Sequence, residues 1–266
     1  MTSIISIDNK IVKLTASLSE KKYRDKEGLY IIEGPNPVKE ALDSKRKARF
    51  IFIKAESYSD EVIDIANRAE SMGLAVYELS DAVFAKAAQS QNPQGVLGVF
   101  EKPHIKRDEF FEIANGKNLL LIDRLQDPRN IGTILRTAEA AGFAGAVFIK
   151  GSGDPFSPKA VRAAAGASER FPILFTESAG DALAMLKAKG KKIFATAMNA
   201  NTKYYDADLA KDCVIVISNE GNGVSKEIYE NADCIIKIPM SGKTESLNAA
   251  MAAGIIMFES RRQQND

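Results

Sequence analysis

Apolar residues along this chain gather in short runs, and amphipathic stretches of helical period fill most of the gaps between them. The runs at 29–33 (LYIIE), 49–53 (RFIFI), 74–79 (LAVYEL) and 95–100 (GVLGVF) predict strands, with helices over 35–44 and 59–72. A charged stretch at 102–117 (KPHIKRDEFFEIANGK) then breaks the alternation. It resumes with strand-like runs at 118–123, 144–149, 171–175, 192–197, 213–218 and 233–238, and with helices expected near 130–141, 157–165, 178–189 and 246–260. Apolar strands alternating with helices argue for an α/β protein with a mainly parallel sheet covered on both faces. The expected division is a smaller domain over 1–101, a linker over 102–117 and a larger domain over 118–266.

Composition narrows the chemistry. Hydrophobic residues make up 45% and charged residues 27% of the 266, ordinary values for a globular protein. No apolar run is long enough to span a membrane, and residues 1–20 lack the apolar block of a secretory signal. Cys213 and Cys234 form no CxxC pair, and His104 is the one histidine. A disulfide framework and a Cys/His metal site are therefore not expected, and a cytoplasmic setting is. Ser-His-Asp chemistry has no suitable histidine, since His104 sits among Lys102, Lys106 and Arg107. The net charge of +1 says little, but its distribution says more. Residues 1–54 carry twelve Lys/Arg against seven Asp/Glu, with clusters at Lys21-Lys22-Tyr23-Arg24 and Lys45-Arg46-Lys47. Such clusters attract phosphate by counterion release, although a basic face that is merely solvated has the same composition.

Three segments carry candidate chemistry. In the first, a strand ending at Asp123 leads through a polar turn to Asn130-Ile131-Gly132-Thr133-Ile134-Leu135-Arg136-Thr137. Asn130 is a candidate N-cap, Ile131, Ile134 and Leu135 form a buried stripe, and Gly132 and Arg136 share another face. In the second, the strand 213–218 runs into Asn219-Glu220-Gly221-Asn222-Gly223, a glycine-rich turn with one carboxylate that is neither G-x-G-x-x-G nor a P-loop. In the third, Ile238-Pro239-Met240 precedes a polar loop, and Ser246 is a candidate cap for a long helix. That helix is apolar around most of its circumference and should be buried in the core or in a subunit interface. Each segment alone also reads as an ordinary turn or capped helix.

Together, in this order and spacing, the three segments resemble the SpoU/TrmH family of RNA ribose 2′-O-methyltransferases in the SPOUT superfamily. The resemblance rests on Asn130, Gly132, Arg136 and Thr137, on Glu220, Gly221 and Gly223, and on Ile238-Pro239-Met240 with Ser246-Leu247-Asn248. Ser218 stands where the family often has glycine. In the first domain, Lys22-Tyr23-Arg24, Glu33-Gly34-Pro35 and Pro93-Gln94-Gly95-Val96-Leu97 resemble the family's ribosomal-protein-like substrate-binding module.

The resemblance implies a trefoil-knotted C-terminal domain, S-adenosylmethionine as cofactor, no metal, and a homodimer. It implies a cofactor pocket lined by Thr196, Ala197, Met198, Ser218, Glu220, Gly221, Ile238, Met240 and Leu247. Arg136 is the expected catalytic residue, with Asn130, Glu220, Ser246 and Asn248 ordering the loops around it. Lys22, Arg24, Arg129 and Arg136 are the expected RNA contacts, and ribosomal RNA is favoured over tRNA. A tRNA ribose methyltransferase and a non-catalytic RNA-binding assembly factor of the same fold are the competing readings.

Overall fold

The apolar runs of the two stretches become strands of two separate sheets. A computed structural model of the chain describes residues 1–55, 59–219, 221, 223–242 and 246–265. The chain divides into two units, Met1–Pro103 with Asp154–Arg170, and His104–Gly153 with Phe171–Asp266.

The first unit holds β1 (Thr2–Ile4), β2 (Leu29–Glu33), β3 (Ala48–Lys54), β4 (Ala75–Leu79) and β5 (Val96–Glu101), in the order β1-β4-β3-β5-β2. β1, β4 and β3 are parallel, but β5 runs antiparallel to both β3 and β2. The segment 88–95 returns the chain to the carboxyl end of β3, where Lys54 N donates to Gly95 O at 2.8 Å. β5 therefore enters from the opposite direction, and the sheet is mixed where the apolar pattern suggested a parallel one.

The second unit is an all-parallel sheet of β6 (Leu119–Asp123), β7 (Gly145–Ile149), β8 (Ile173–Thr176), β9 (Lys192–Thr196), β10 (Thr202–Lys203), β11 (Cys213–Ser218) and β12 (Cys234–Lys237). Their order is β10-β12-β9-β11-β6-β7-β8. Both faces of the central strands are buried, as their continuous apolar sequences require. Leu119, Leu121, Val214 and Val216 pack with Phe110, Leu183 and Leu186 on one side. The helices Pro128–Ala140 and Ala249–Asn265 pack against each other, and the second also lies on β11.

Residues 102–117 are not an unstructured linker. Arg107–Ile113 is a helix whose Phe110 and Phe111 enter the second unit's core, while its charged residues face solvent. Its dense charge belongs to one face of an amphipathic helix and hid two aromatic anchors.

The segment Asp154–Arg170, read above as part of the larger domain, belongs to the first unit. Phe156 packs on Tyr30 with ring centroids 5.3 Å apart. Arg24 binds Asp154 at 2.7 Å, with side chains only 3% and 6% exposed. Arg24 Nη1 also donates to the carbonyls of Leu18 and Ser19, at 2.7 and 2.8 Å. The expectation that Arg24 contacts RNA is therefore corrected: its guanidinium is buried and already committed. Lys22 beside it is exposed, with its ammonium 5.9 Å from the centroid of the Tyr23 ring.

This unit also buries Glu169 at 2% exposure, and neither carboxylate oxygen has a hydrogen-bond partner among the described residues. Burial pushes its carboxyl up to about 7. Two outcomes follow. Arg24→Ala should lower the unfolding free energy by about 3–5 kcal/mol, because it strands a buried carboxylate, whereas Lys22→Ala should change it by less than ~0.5 kcal/mol. Urea titrations of the two variants check this. For Glu169, the folded state alone holds the proton between the ordinary carboxyl value of 4.5 and about 7. Stability should thus fall as pH rises through that window, by on the order of 3 kcal/mol, and stay level above it. Glu169→Gln should abolish that fall, leaving the variant more stable than the parent at pH 8 and similar to it near pH 4.

Candidate active site

Because every pairing in the second sheet is parallel, the carboxyl ends of its strands share one edge, where open α/β sheets bind ligands. Asp123 and Ser218 end β6 and β11 in register, and Thr196 of β9 pairs with Ile236 of β12. The chain leaving these strands builds a cavity of about 150 Å³. Thr196, Ala197, Met198, Ile238, Met240 and Leu247, all expected at the cofactor, line it, and Ser246 joins them. Its remaining wall is Ile236, Lys237, Ala252 and Ile256. Sequence reading missed these four because they read as ordinary strand and helix positions. Ser218 and Gly221 are not in the lining. Ser218 is half-buried at the strand end, and Gly221 is exposed with its N–H donated to Asn219 Oδ1 at 2.8 Å. Glu220 lies outside the described residues.

The helix carrying the first segment begins earlier than expected, at Pro128, and Asp127 is its N-cap, accepting from Arg129 N at 2.8 Å. Proline suits this first helical position, where no N–H is needed. Asn130 is thereby freed from capping. It is buried, and its Oδ1 accepts from Asn248 Nδ2 at 3.0 Å, tying the first segment to the third. The long helix likewise starts at Ala249, not at Ser246. Asn248 caps it, with Oδ1 accepting from Ala250 N at 3.0 Å. Ser246 is exposed at the cavity.

Arg136 projects from the exposed side of its helix and makes no hydrogen bond or ion pair among the described residues. Arg129 is also exposed, with a long contact of 3.7 Å to Asp127. The two arginines thus present uncommitted or weakly held guanidinium groups, in contrast to Arg24.

A residue quoted above only as a strand end organises the second segment. Asp123 is 1% exposed, and its Oδ2 accepts from Ser225 N at 2.8 Å while Oδ1 accepts from Arg124 Nε at 2.9 Å. Arg124 holds a left-handed φ of 55°, a conformation non-glycine residues seldom adopt. Its N–H is satisfied by Ser152 Oγ at 3.0 Å. The available signal was a carboxylate closing a wholly apolar run. Among the described residues no group of three His, Cys, Asp or Glu side chains is placed to hold a metal.

Comparison with known proteins bears on this geometry. The profile of the SpoU rRNA methylase family matches residues 117–258, and that of an MRM3-like substrate-binding domain matches residues 9–98. The chain is 32% identical to the 23S rRNA (guanosine(2553)-2′-O)-methyltransferase RlmP of Bacillus subtilis, over 98% of this chain and 100% of that one. It is 30% identical to the 23S rRNA (guanosine-2′-O-)-methyltransferase RlmB of Vibrio vulnificus, over 88% of this chain and 96% of that one. Its fold is similar to the crystal structure of an AdoMet-bound rRNA methyltransferase from Sinorhizobium meliloti. There the TM-score is 0.88 and the identity 32%, over 98% of this chain and 97% of that one.

Asp123→Ala should lower stability by about 1–3 kcal/mol, since the Ser225 N–H loses its partner in a half-buried site. Hydrogen exchange should show Ser225 losing protection while the β7 amides keep theirs. Unchanged protection at Ser225 would show that the loop is held by other contacts.

Proposed function

Because the chain belongs to the SpoU rRNA methylase family, we propose that it transfers the methyl group of S-adenosylmethionine to a ribose 2′-hydroxyl of ribosomal RNA. The observation that carries this reading is the meeting of three sequence segments at one sheet edge. Residues 196–198, Ile238, Met240, Ser246 and Leu247 line a cavity, and Asn248 joins them to the helix that bears Arg136, which has no partner among the described residues. A ribosome assembly factor without catalysis would need the fold but not that arrangement.

The donor set fits the cofactor. The apolar walls from Ile236, Ile238, Leu247 and Ile256 suit the flat face of an adenine, and the strand ends at Thr196 and Lys237 offer backbone groups to its polar edge. The cavity is smaller than the ~300 Å³ of sites that enclose a whole drug-sized ligand, so these walls hold one end of the cofactor. When bound, the cofactor supplies an electrophilic methyl group, which leaves positioning and charge stabilisation to the protein. A guanidinium has five N–H donors and no acceptor lone pair, so Arg136 does not act as a literal base. Its planar fork clamps a phosphate beside the target ribose, and its charge favours the alkoxide that develops on the 2′-oxygen. The 2′-proton leaves through the phosphate or water. Asn130 and Asn248 position the helix from which Arg136 projects.

The first unit, with exposed Lys21, Lys22, Lys45, Lys47 and Arg49, docks the RNA in this reading. The relative named for ribosomal RNA matches the chain over both units, which favours ribosomal RNA over tRNA. On the Ala249–Asn265 helix, Met251 and Phe258 are 63% and 52% exposed. That apolar pair supports a homodimer through this helix. No helix among the described residues is long and apolar enough to cross a membrane, and an rRNA substrate supports a cytoplasmic setting.

Calorimetric titration should show S-adenosylmethionine binding to the purified protein, and ribosomal RNA should accept label from it. Arg136→Ala should keep cofactor affinity and stability while reducing methyl transfer at least ~100-fold, the scale of losing a positioned charge donor. Arg136→Lys should remain poor, because an ammonium cannot reproduce the fork. A protein that binds no S-adenosylmethionine at millimolar concentration, with or without RNA, would overturn the reading. A fully active lysine variant would remove only the clamp.

A further inference from the structure

Two motifs noted in the first domain lie about sixty residues apart and have no part in the methyl-transfer site. They are Glu33-Gly34-Pro35 and Pro93-Gln94-Gly95. In the first unit they meet at a cavity of about 370 Å³, larger than the one at the sheet edge. We propose that this cavity is a subsite for one unpaired nucleotide of the RNA substrate, with the base inside and its phosphate at the mouth. The inference rests on the proposed function for the identity of the ligand as RNA.

The walls match the chemistry of a nucleobase, which has two flat apolar faces and an edge of amide-like donors and acceptors. Ile31, Pro37, Pro158 and Val161 supply the apolar surfaces. The carboxamides of Asn92 and Gln94 stand at the rim, exposed and without hydrogen bonds among the described residues. Each offers both a donor and an acceptor, the pairing that reads a base edge. Arg162, exposed and likewise unpaired among the described residues, brings the one cation of the lining to the mouth.

The rim is also built, not incidental. Glu33 Oε2 accepts from Gln89 N at 2.8 Å and Ser90 N at 3.2 Å, and its Oε1 accepts from Ser90 Oγ. The carboxylate thereby fixes the start of the loop that presents Asn92 and Gln94. Gly34 has a φ of +105°, and a Cβ there would stand 2.9 Å from Gln94 Oε1. Glycine at this position is required by the backbone turn, and its bare Cα sits close under the carboxamide. Helix Pro158–Ala164 closes the side, which gives the Asp154–Arg170 segment a use beyond filling the core.

The test uses the full chain and ribosomal RNA extracted from cells lacking its gene. Asn92→Ala with Gln94→Ala should raise the Kd for that RNA about tenfold, the scale of two lost hydrogen bonds. The salt dependence of binding should stay the same, because neither amide carries charge. Arg162→Ala should weaken binding and flatten the salt dependence by about one phosphate contact. Ultraviolet crosslinking should join RNA to the peptide holding residues 89–94. Both sites are exposed, and an unchanged melting temperature checks that the variants fold. An unchanged Kd in the double variant overturns the subsite, and so does a loss of affinity accompanied by a flatter salt dependence. Cofactor affinity should be unaffected in that variant. If the parent protein transfers no methyl group to RNA, the enzymatic reading fails, while the Kd comparison still decides the subsite.

Discussion

The second unit depends on the parallel pairing of β11 between β9 and β6. In a parallel sheet every strand delivers its carboxyl end to the same edge, so loops far apart in sequence must meet there. The described residues that follow β6, β9, β11 and β12, namely 124–130, 197–200, 219 and 238–242, all leave strands at this edge. The pairing survives because the strands are apolar on both faces and buried along most of their length, which leaves their backbone groups no water to turn to. Polar contacts then refine the placement. Asp123 holds the second segment through Ser225, and Asn248 holds the third to the first through Asn130. Hydrogen bonds of this size, each about 1 kcal/mol net, could not assemble the site alone. They fix the last few ångströms once the sheet has brought the loops together.

Much of this was legible in the residues. The ten apolar runs all correspond to strands, since they are too short for helices and are set between stretches of helical period. Six of the nine expected cofactor residues line one cavity. What could not be read was order. Nothing local to 213–218 states that it pairs with 119–123, ninety residues earlier, because pairing is decided by burial of the whole sheet. The short strands β1 and β10 were also missed, since two or three residues carry no period. Caps were misplaced by the same limit: Asn130 and Ser246 are good capping types, but Asp127 and Asn248 sit where the helices begin. The chosen residues were a few positions inside or outside the true ends.

Charge was the least readable property, because sequence counts ions and does not say which of them reach solvent. Arg24 and Lys22 are two residues apart in one basic cluster, yet one is sealed by Asp154 and two carbonyls while the other is exposed. Lys191 repeats the case in the second unit, buried with its ammonium held by Asp212 and the carbonyls of Ala114 and Lys117. A buried cation contributes nothing to counterion release on binding RNA, since no counterion condenses against it. Arg136 is the opposite case: it has no partner to satisfy within the described fold, so its cost of holding a phosphate is small.

The return of Asp154–Arg170 to the first unit changes what the two units can be. Each excursion between them occurs within a few residues of a strand of the parallel sheet: the chain leaves after β7 and comes back before β8. A boundary drawn once, near residue 103, would therefore cut through the packing of the first unit. It would leave Asp154 without Arg24, and Phe156 and Val161 without the apolar neighbours that bury them at 1% and 6% exposure. Exposing such side chains costs roughly 1.5–3 kcal/mol each, and stranding the buried carboxylate adds to it. Loss of residues 1–103 would thus leave a methyl-transfer unit carrying an unpaired apolar segment next to β7. The first unit is consequently not one continuous stretch of sequence: its core is completed by a segment that the chain delivers between β7 and β8.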